Sequence, residues 1–144
     1  LEQKRQVKIN VLVEKLRAAS AITTFPEQLP KPPPPALEAS TADAFQAALK
    51  SGRPTVVDFG SNSCPPCIRL RPVMRALKDA HKDSINVLFL EVSANRDLAL
   101  SYKVRLVPTL IFFDAQGREV HRETGFMGQE AMEKVLRDLK LLGG

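Results

Sequence analysis

Apolar and polar positions along the chain fall into short blocks whose spacing switches between helical and extended periods. From Lys4 to Ala19, Ile9, Leu12, Val13 and Leu16 recur at helical intervals while Lys8, Glu14, Lys15 and Arg17 fill the rest of the wheel, which predicts an amphipathic helix. That pattern stops between Phe25 and Ala36, where Pro26, Pro30 and Pro32 to Pro35 hold the backbone near polyproline II and predict a stiff linker. Beyond it, Ser40 or Thr41 caps a short helix through Lys50 with Phe45 and Leu49 on one face. Thr55 to Phe59 reads as a buried strand. A helix follows from about Cys64 to Lys82, striped by Leu70, Val73, Met74 and Leu77, with a kink expected at Pro72. Strands at Ile85–Val92 and Thr109–Phe113 bracket a short helix at Asp97–Tyr102. Asp114-Ala115-Gln116-Gly117 is turn chemistry, after which Glu119–Thr124 reads as a half-buried strand closing a hairpin. Gly128 to Leu142 ends the chain as a helix with Met132, Val135, Leu136 and Leu139 facing inward.

This order predicts an α/β domain, a mixed central sheet flanked by helices on both faces, preceded by an N-terminal helical extension. Residues 1–24 form the extension, 25–38 the proline-rich linker and 39–144 the domain. The extension either packs on its own domain or serves as a stalk or partner-binding helix. Composition adds exclusions: 44% apolar and 26% charged residues suit an ordinary globular core. Wholly apolar runs such as Leu110–Phe113 fall far short of the roughly 18 to 20 residues that cross a bilayer. The chain opens at Leu1 without the charged, apolar and small-residue blocks of a leader, so no targeting segment is expected within it. The net charge of +5 is spread over both halves, and with no Trp and a single Tyr the footprint of a nucleic-acid binder is missing, so no nucleic-acid partner is expected. A monomer is expected.

Chemistry concentrates in Cys64-Pro65-Pro66-Cys67, which holds both cysteines of the chain. A disulfide here closes almost no loop and adds little stability, so reactivity is the reason for the pair. At positions i and i+3 of a helix start, the sulfurs can alternate between dithiol and disulfide. The partial positive charge of the helix N-terminus, with Arg69, Arg71 and Arg75 adding to the field, favours Cys64 as the attacking thiolate and Cys67 as the resolving thiol. Pro65 and Pro66 remove two N–H groups between the sulfurs, and the redox potential depends on that pair. Structural zinc needs four ligands, and only His81 and His121, forty positions apart, stand beside the cysteines, so no metal is expected. Asp58 is an acid in a segment otherwise built for burial. Buried, its pKa rises and it can take or relay the proton of Cys67; the alternative is an edge strand from which it reaches water. Pro108 in Val107-Pro108-Thr109 opens a strand, where its missing donor is tolerated.

Taken together, Val56-Val57-Asp58-Phe59, Cys64-Pro65-Pro66-Cys67, Pro72, Val107-Pro108-Thr109 and Gly125 resemble the thioredoxin family from about residue 40 to 142. The resemblance implies a thioredoxin fold, with Cys64 as nucleophile, Cys67 as resolving thiol, Asp58 as buried proton acceptor, Pro108 as a cis-proline facing the disulfide and Val107 positioning substrate by strand-like addition. Departures accompany it. Gly60-Ser61-Asn62-Ser63 replaces the Trp that usually precedes the first cysteine, Pro-Pro replaces Gly-Pro, and Phe89 stands where a lysine often pairs with the buried Asp, so Asp58 is expected to lack that counter-charge. Gly125-Phe126-Met127 and the proline spacer also resemble exported bacterial thioredoxin-like proteins. That implies the periplasm, or a membrane anchor facing it, with the cytosol as the alternative. It also implies disulfide-bearing protein substrates and a membrane thiol transporter as electron donor. The expected activity is reduction of protein disulfides with no cofactor beyond the Cys64–Cys67 pair. A disulfide donor or isomerase, or a binding module that delivers copper on soft thiolates, are the alternatives.

Overall fold

A computed structural model describes residues 10, 13–15 and 37–143 of the 144. The chain divides into two units, Leu1–Pro32 and Pro33–Gly144. In the first unit, Asn10, Val13, Glu14 and Lys15 are helical and exposed; the rest of the expected amphipathic helix, and the linker up to residue 36, lie outside the described residues.

The second unit runs α1 (Ala42–Leu49), β1 (Thr55–Gly60), α2 (Pro65–Ala80), β2 (Asn86–Glu91), α3 (Arg96–Ser101), β3 (Thr109–Phe113), β4 (Glu119–Thr124) and α4 (Gln129–Asp138). Its four strands lie in the order β2-β1-β3-β4, with β1 parallel to β2 and antiparallel to β3, and β4 antiparallel to β3. This is the mixed sheet expected from the pattern. Strand alternation explains the two layers of core. Val56, Val87, Phe89, Leu110 and Phe112 face α2 and α4, where they meet Leu70, Met74, Leu77, Met132 and Leu136. Val57, Phe59, Leu90, Ile111 and Phe113 face the other way, onto Phe45 of α1 and Ala99 of α3. Among the described residues no helix is long and apolar enough to cross a membrane.

Several boundaries differ from the sequence reading, each for a physical reason. Leu37, assigned to the linker, is buried in the α2-side core, and Ala39 bridges to Phe89 with the Ser40 amide donating to the Phe89 carbonyl at 2.7 Å. Packing of the domain therefore begins inside the expected linker. The helix α2, by contrast, runs on through Pro72 as one element, as expected, with the Ile68 carbonyl left without its intrahelical donor. Strand β4 is an edge strand with Glu119, Val120, Glu123 and Thr124 exposed, so its alternation buries no full face.

Two helices stop where no glycine marks an end. Lys103 and Lys140 each take φ of 54° just past α3 and α4. In both, paired hydrogen bonds wrap the last turn: Lys103 N–H to the Leu100 carbonyl with Val104 N–H to Ala99, and Lys140 N–H to Arg137 with Leu141 N–H to Leu136. This is the Schellman arrangement, with an apolar residue after each lysine returning to the core. It ends α4 at Asp138 rather than at Leu142. Glycine does appear where the backbone demands it. Gly117 has φ of 74° in the β3–β4 turn, and a Cβ there would stand 2.9 Å from the Leu49 carbonyl oxygen.

Phe45 holds the α1-side core together, meeting Phe59, Tyr102 and Phe113 edge to face with ring centroids 6.2, 5.5 and 5.6 Å away. Phe45→Ala is expected to cost about 3–5 kcal/mol. Urea unfolding followed by circular dichroism checks this, and a loss below about 1 kcal/mol would mean that the neighbouring rings close the cavity.

Candidate active site

The geometry begins with the parity of β1. Residues 56, 58 and 60 share the face beneath α2, so the strand that buries Val56 there must carry Asp58 into the same layer. In register, Asp58 lies between Phe89 of β2 and Leu110 of β3, and it is fully buried. The edge-strand alternative is thereby excluded: β1 is an interior strand. Neither carboxyl oxygen has a hydrogen-bond partner among the described residues. Two positions on, Gly60 leaves room for them. A Cβ there would lie 2.9 Å from Cε2 of Phe89 and 3.3 Å from one Asp58 oxygen.

From Gly60 the chain turns through Ser61-Asn62-Ser63 and enters α2 with Cys64 at its N-cap and the prolines in its first turn, where an N–H is not required. Both cysteines are thiols; Cys67 is buried and Cys64 half-buried. The Cys64 Sγ lies 3.8 Å from the Val107 carbonyl oxygen, which it meets as a weak donor. The Val107–Pro108 peptide bond is cis, and the Pro108 carbonyl accepts the Gly125 amide at 2.8 Å. The residues singled out in the sequence thus converge: Cys64, Pro65, Pro66 and Cys67 from the start of α2, Val107 and Pro108 from the β3 approach, and Asp58 from below.

Burial dominates the acidities. It lifts the Asp58 carboxyl from 3.8 to about 7, against an opposing pull from the Arg71 cation. Burial also pushes the Cys67 thiol up to about 12, helped by its hydrogen bond with Cys64 and by the charges of Cys64 and Asp58, while a Ser61 backbone hydrogen bond works the other way. Cys67 is held as a thiol, and Asp58 changes charge near neutrality.

Phe89 stands beside Asp58 in register, so the lysine counter-charge is missing there, and the cation whose pull reaches Asp58 is Arg71. Its guanidinium carbon lies 4.2 Å from the centroid of the Phe89 ring, and one of its nitrogens donates to the Asn62 side-chain oxygen. Of the arginines expected to act on Cys64, Arg75 instead pairs with Asp79 at 3.2 Å. His81 bonds Glu133 at 3.2 Å, and the His121 ring packs on Phe112 with centroids 5.3 Å apart. Among the described residues no cluster of His, Cys, Asp and Glu could hold a metal ion. Sequence reasoning missed Glu91. Buried at the end of β2, it accepts the Asn62 amide at 2.6 Å and the Ser93 hydroxyl at 3.1 Å, anchoring the loop before the cysteines. Its signal was there in strand parity, since 89 and 91 share the face of 58.

Two thiols opening a helix that lies across a four-stranded mixed sheet, with a proline loop beside the first sulfur, define a thioredoxin fold bearing a Cys-x-x-Cys pair. A family model described as a thioredoxin-like domain matches residues 41–140. A thioredoxin of Alicyclobacillus acidocaldarius is 34% identical over 95 residues, covering 66% of this chain and 90% of that one. A thioredoxin of Mycobacterium tuberculosis is 33% identical over 91 residues, 63% of this chain and 78% of that one. Among solved structures, a thioredoxin from Nicotiana alata matches with a TM-score of 0.64 at 25% identity, covering 79% of this chain and 99% of that one. Chloroplastic thioredoxin z shares the fold with a TM-score of 0.65 at 20% identity, covering 74% of this chain and 96% of that one. The chain belongs to the thioredoxin family, and its domain is that of a thioredoxin-like thiol-disulfide oxidoreductase.

Asp58 makes stability depend on pH. Because its pKa is about 7 in the fold and 3.8 when free, the folded chain keeps a proton that the unfolded chain releases. The contribution of Asp58 to stability is then full below about pH 4 and is lost as pH rises towards about 7, by an amount on the order of 4 kcal/mol. Asp58→Asn should lack this slope and be the more stable protein at about pH 8. Denaturation midpoints of both proteins across this range are the check, and parallel curves would refute the assignment.

Proposed function

We propose that the protein reduces disulfide bonds in protein substrates through Cys64 and Cys67. The observation that carries this reading is the half-buried Cys64 sulfur at the start of α2, 3.8 Å from the Val107 carbonyl, with a buried thiol one helical turn behind it. The Cys64 thiolate attacks one sulfur of the substrate disulfide. A mixed disulfide forms and the other substrate sulfur leaves as a thiolate, which takes up a proton. Cys67 then yields its proton to the Asp58 carboxylate and attacks the Cys64 sulfur. The second substrate thiolate leaves, and two electrons have passed from the dithiol to the substrate. Burial gives each partner its part in that second step: it makes Cys67 hard to ionise unaided and makes Asp58 a better base than a solvated carboxylate.

An extended substrate segment is held at Val107, whose backbone adds it as a strand beside Pro108. Exposed Ile68, Leu106 and Phe126 support a protein substrate over a small disulfide. Ile68 follows Cys64 by one turn, Leu106 precedes Val107, and Phe126 follows the Gly125 bonded to Pro108. Apolar side chains left in solvent around a reactive thiol favour a partner that covers them.

Cys64→Ser is expected to abolish turnover. Cys67→Ser is expected to accumulate substrate as a mixed disulfide, seen by mass spectrometry and reversed by dithiothreitol. Turnover by Cys64→Ser would overturn the roles. The direction is tested by equilibrating the pair against dithiothreitol or glutathione couples with thiol trapping. A potential near the about −270 mV of thioredoxin supports a reductase, and one near the about −120 mV of a dedicated disulfide donor reverses it.

A further inference from the structure

The helix that carries the cysteines also carries Arg71, four residues after Cys67 and so one turn along the same face. Two contacts fix where its charge sits, one to the Phe89 ring and one to Asn62. The guanidinium lies over the Phe89 ring at 4.2 Å, and Phe89 is the β2 partner of Asp58 in register. The Phe89 ring and both Asp58 oxygens close on the same small space above Gly60. One Arg71 nitrogen is tied to the Asn62 side chain, and the Asn62 amide is tied to the Glu91 carboxylate. Arg71 Nε is buried and without a hydrogen-bond partner among the described residues, as are both oxygens of Asp58.

We propose that Arg71 is the positioning cation of the Asp58 proton acceptor, supplied from the cysteine helix across the Phe89 ring and anchored to the active-site loop through Asn62. This rests on the function proposed above and deepens it. The other groups around Asp58 leave the part open. From α2 come Arg71, Cys67 and, through Cys67, Cys64; from β2, Phe89 and at its end Glu91; from β3, Leu110; and α4 adds only the apolar Met132 and Leu136 to the core layer on that face of the sheet. Arg71 is the cation of that set. Asn62 belongs to the loop before the cysteines and Arg71 to the helix that begins with them, so the cation beside Asp58 is held by the elements that frame the thiols.

The test reads Asp58 directly, by carboxyl-carbon NMR titration of the reduced protein without substrate. Arg71→Met should raise the Asp58 midpoint by about one pH unit, and Arg71→Lys should return at least half of the change. Asn62→Ala, which frees the guanidinium without removing it, should move the midpoint in the same direction by less. The pH profile for resolution of a Cys64 mixed disulfide should shift with the Arg71→Met midpoint, whereas adding Arg71→Met to Asp58→Asn should leave the profile where Asp58→Asn puts it. Equal midpoints in the parent and Arg71→Met overturn the proposal whatever turnover does. A shifted midpoint in a protein without disulfide turnover keeps this proposal and rejects the function instead.

Discussion

A carboxyl group in the interior without a hydrogen bond is the constraint around which this domain is arranged. Asp58 reaches that position because an interior strand alternates its faces, so burying Val56 against α2 carries the acid to the same side. In that layer a charge is costly, and the chain meets the cost by letting the group hold its proton to about pH 7. Gly60 leaves the oxygens room, and the helix that covers them begins with the cysteine pair. Strand parity, the cover of α2 and the chemistry of the thiols are thus parts of one arrangement.

The loop between β1 and α2 shows how a site without tryptophan is held. Ser61 and Ser63 bond to each other through their hydroxyls at 3.0 Å, the Asn62 backbone N–H donates to Glu91, and Arg71 donates to the Asn62 side-chain oxygen. Polar groups replace a large apolar shoulder, and they tie the loop to β2 and α2 together. Such a network is sensitive to charge in a way that an indole is not. The exposed apolar residues lie instead on the neighbouring turns, at Ile68, Leu106 and Phe126.

Local signals and long-range contacts contributed unequally to what could be read in advance. Cys64-Pro65-Pro66-Cys67 was plain because reactivity and helix-start chemistry lie within four consecutive residues. The ends of α3 and α4 were not, because Lys103 and Lys140 adopt a conformation usually left to glycine, which the return of Val104 and Leu141 to the core makes worthwhile. Arg71 was grouped with Arg69 and Arg75 as field around Cys64, though only a folded sheet brings Phe89 beneath it. Leu37 looked like linker because it follows closely on Pro32 to Pro35, while its own side chain belongs to the core.

By itself the sequence determined the order of elements, the mixed sheet, the reactive pair and the presence of an acid in a buried strand. These follow from periodicity and spacing, which act over a few residues. Tertiary structure alone decided that β1 is interior and Asp58 therefore cut off from water, that the Val107 carbonyl stands beside Cys64, and that the Arg71 guanidinium lies over the Phe89 ring next to Asp58. Each of these joins residues far apart in the chain, and desolvation and Coulomb interaction depend on distance in space rather than on sequence separation.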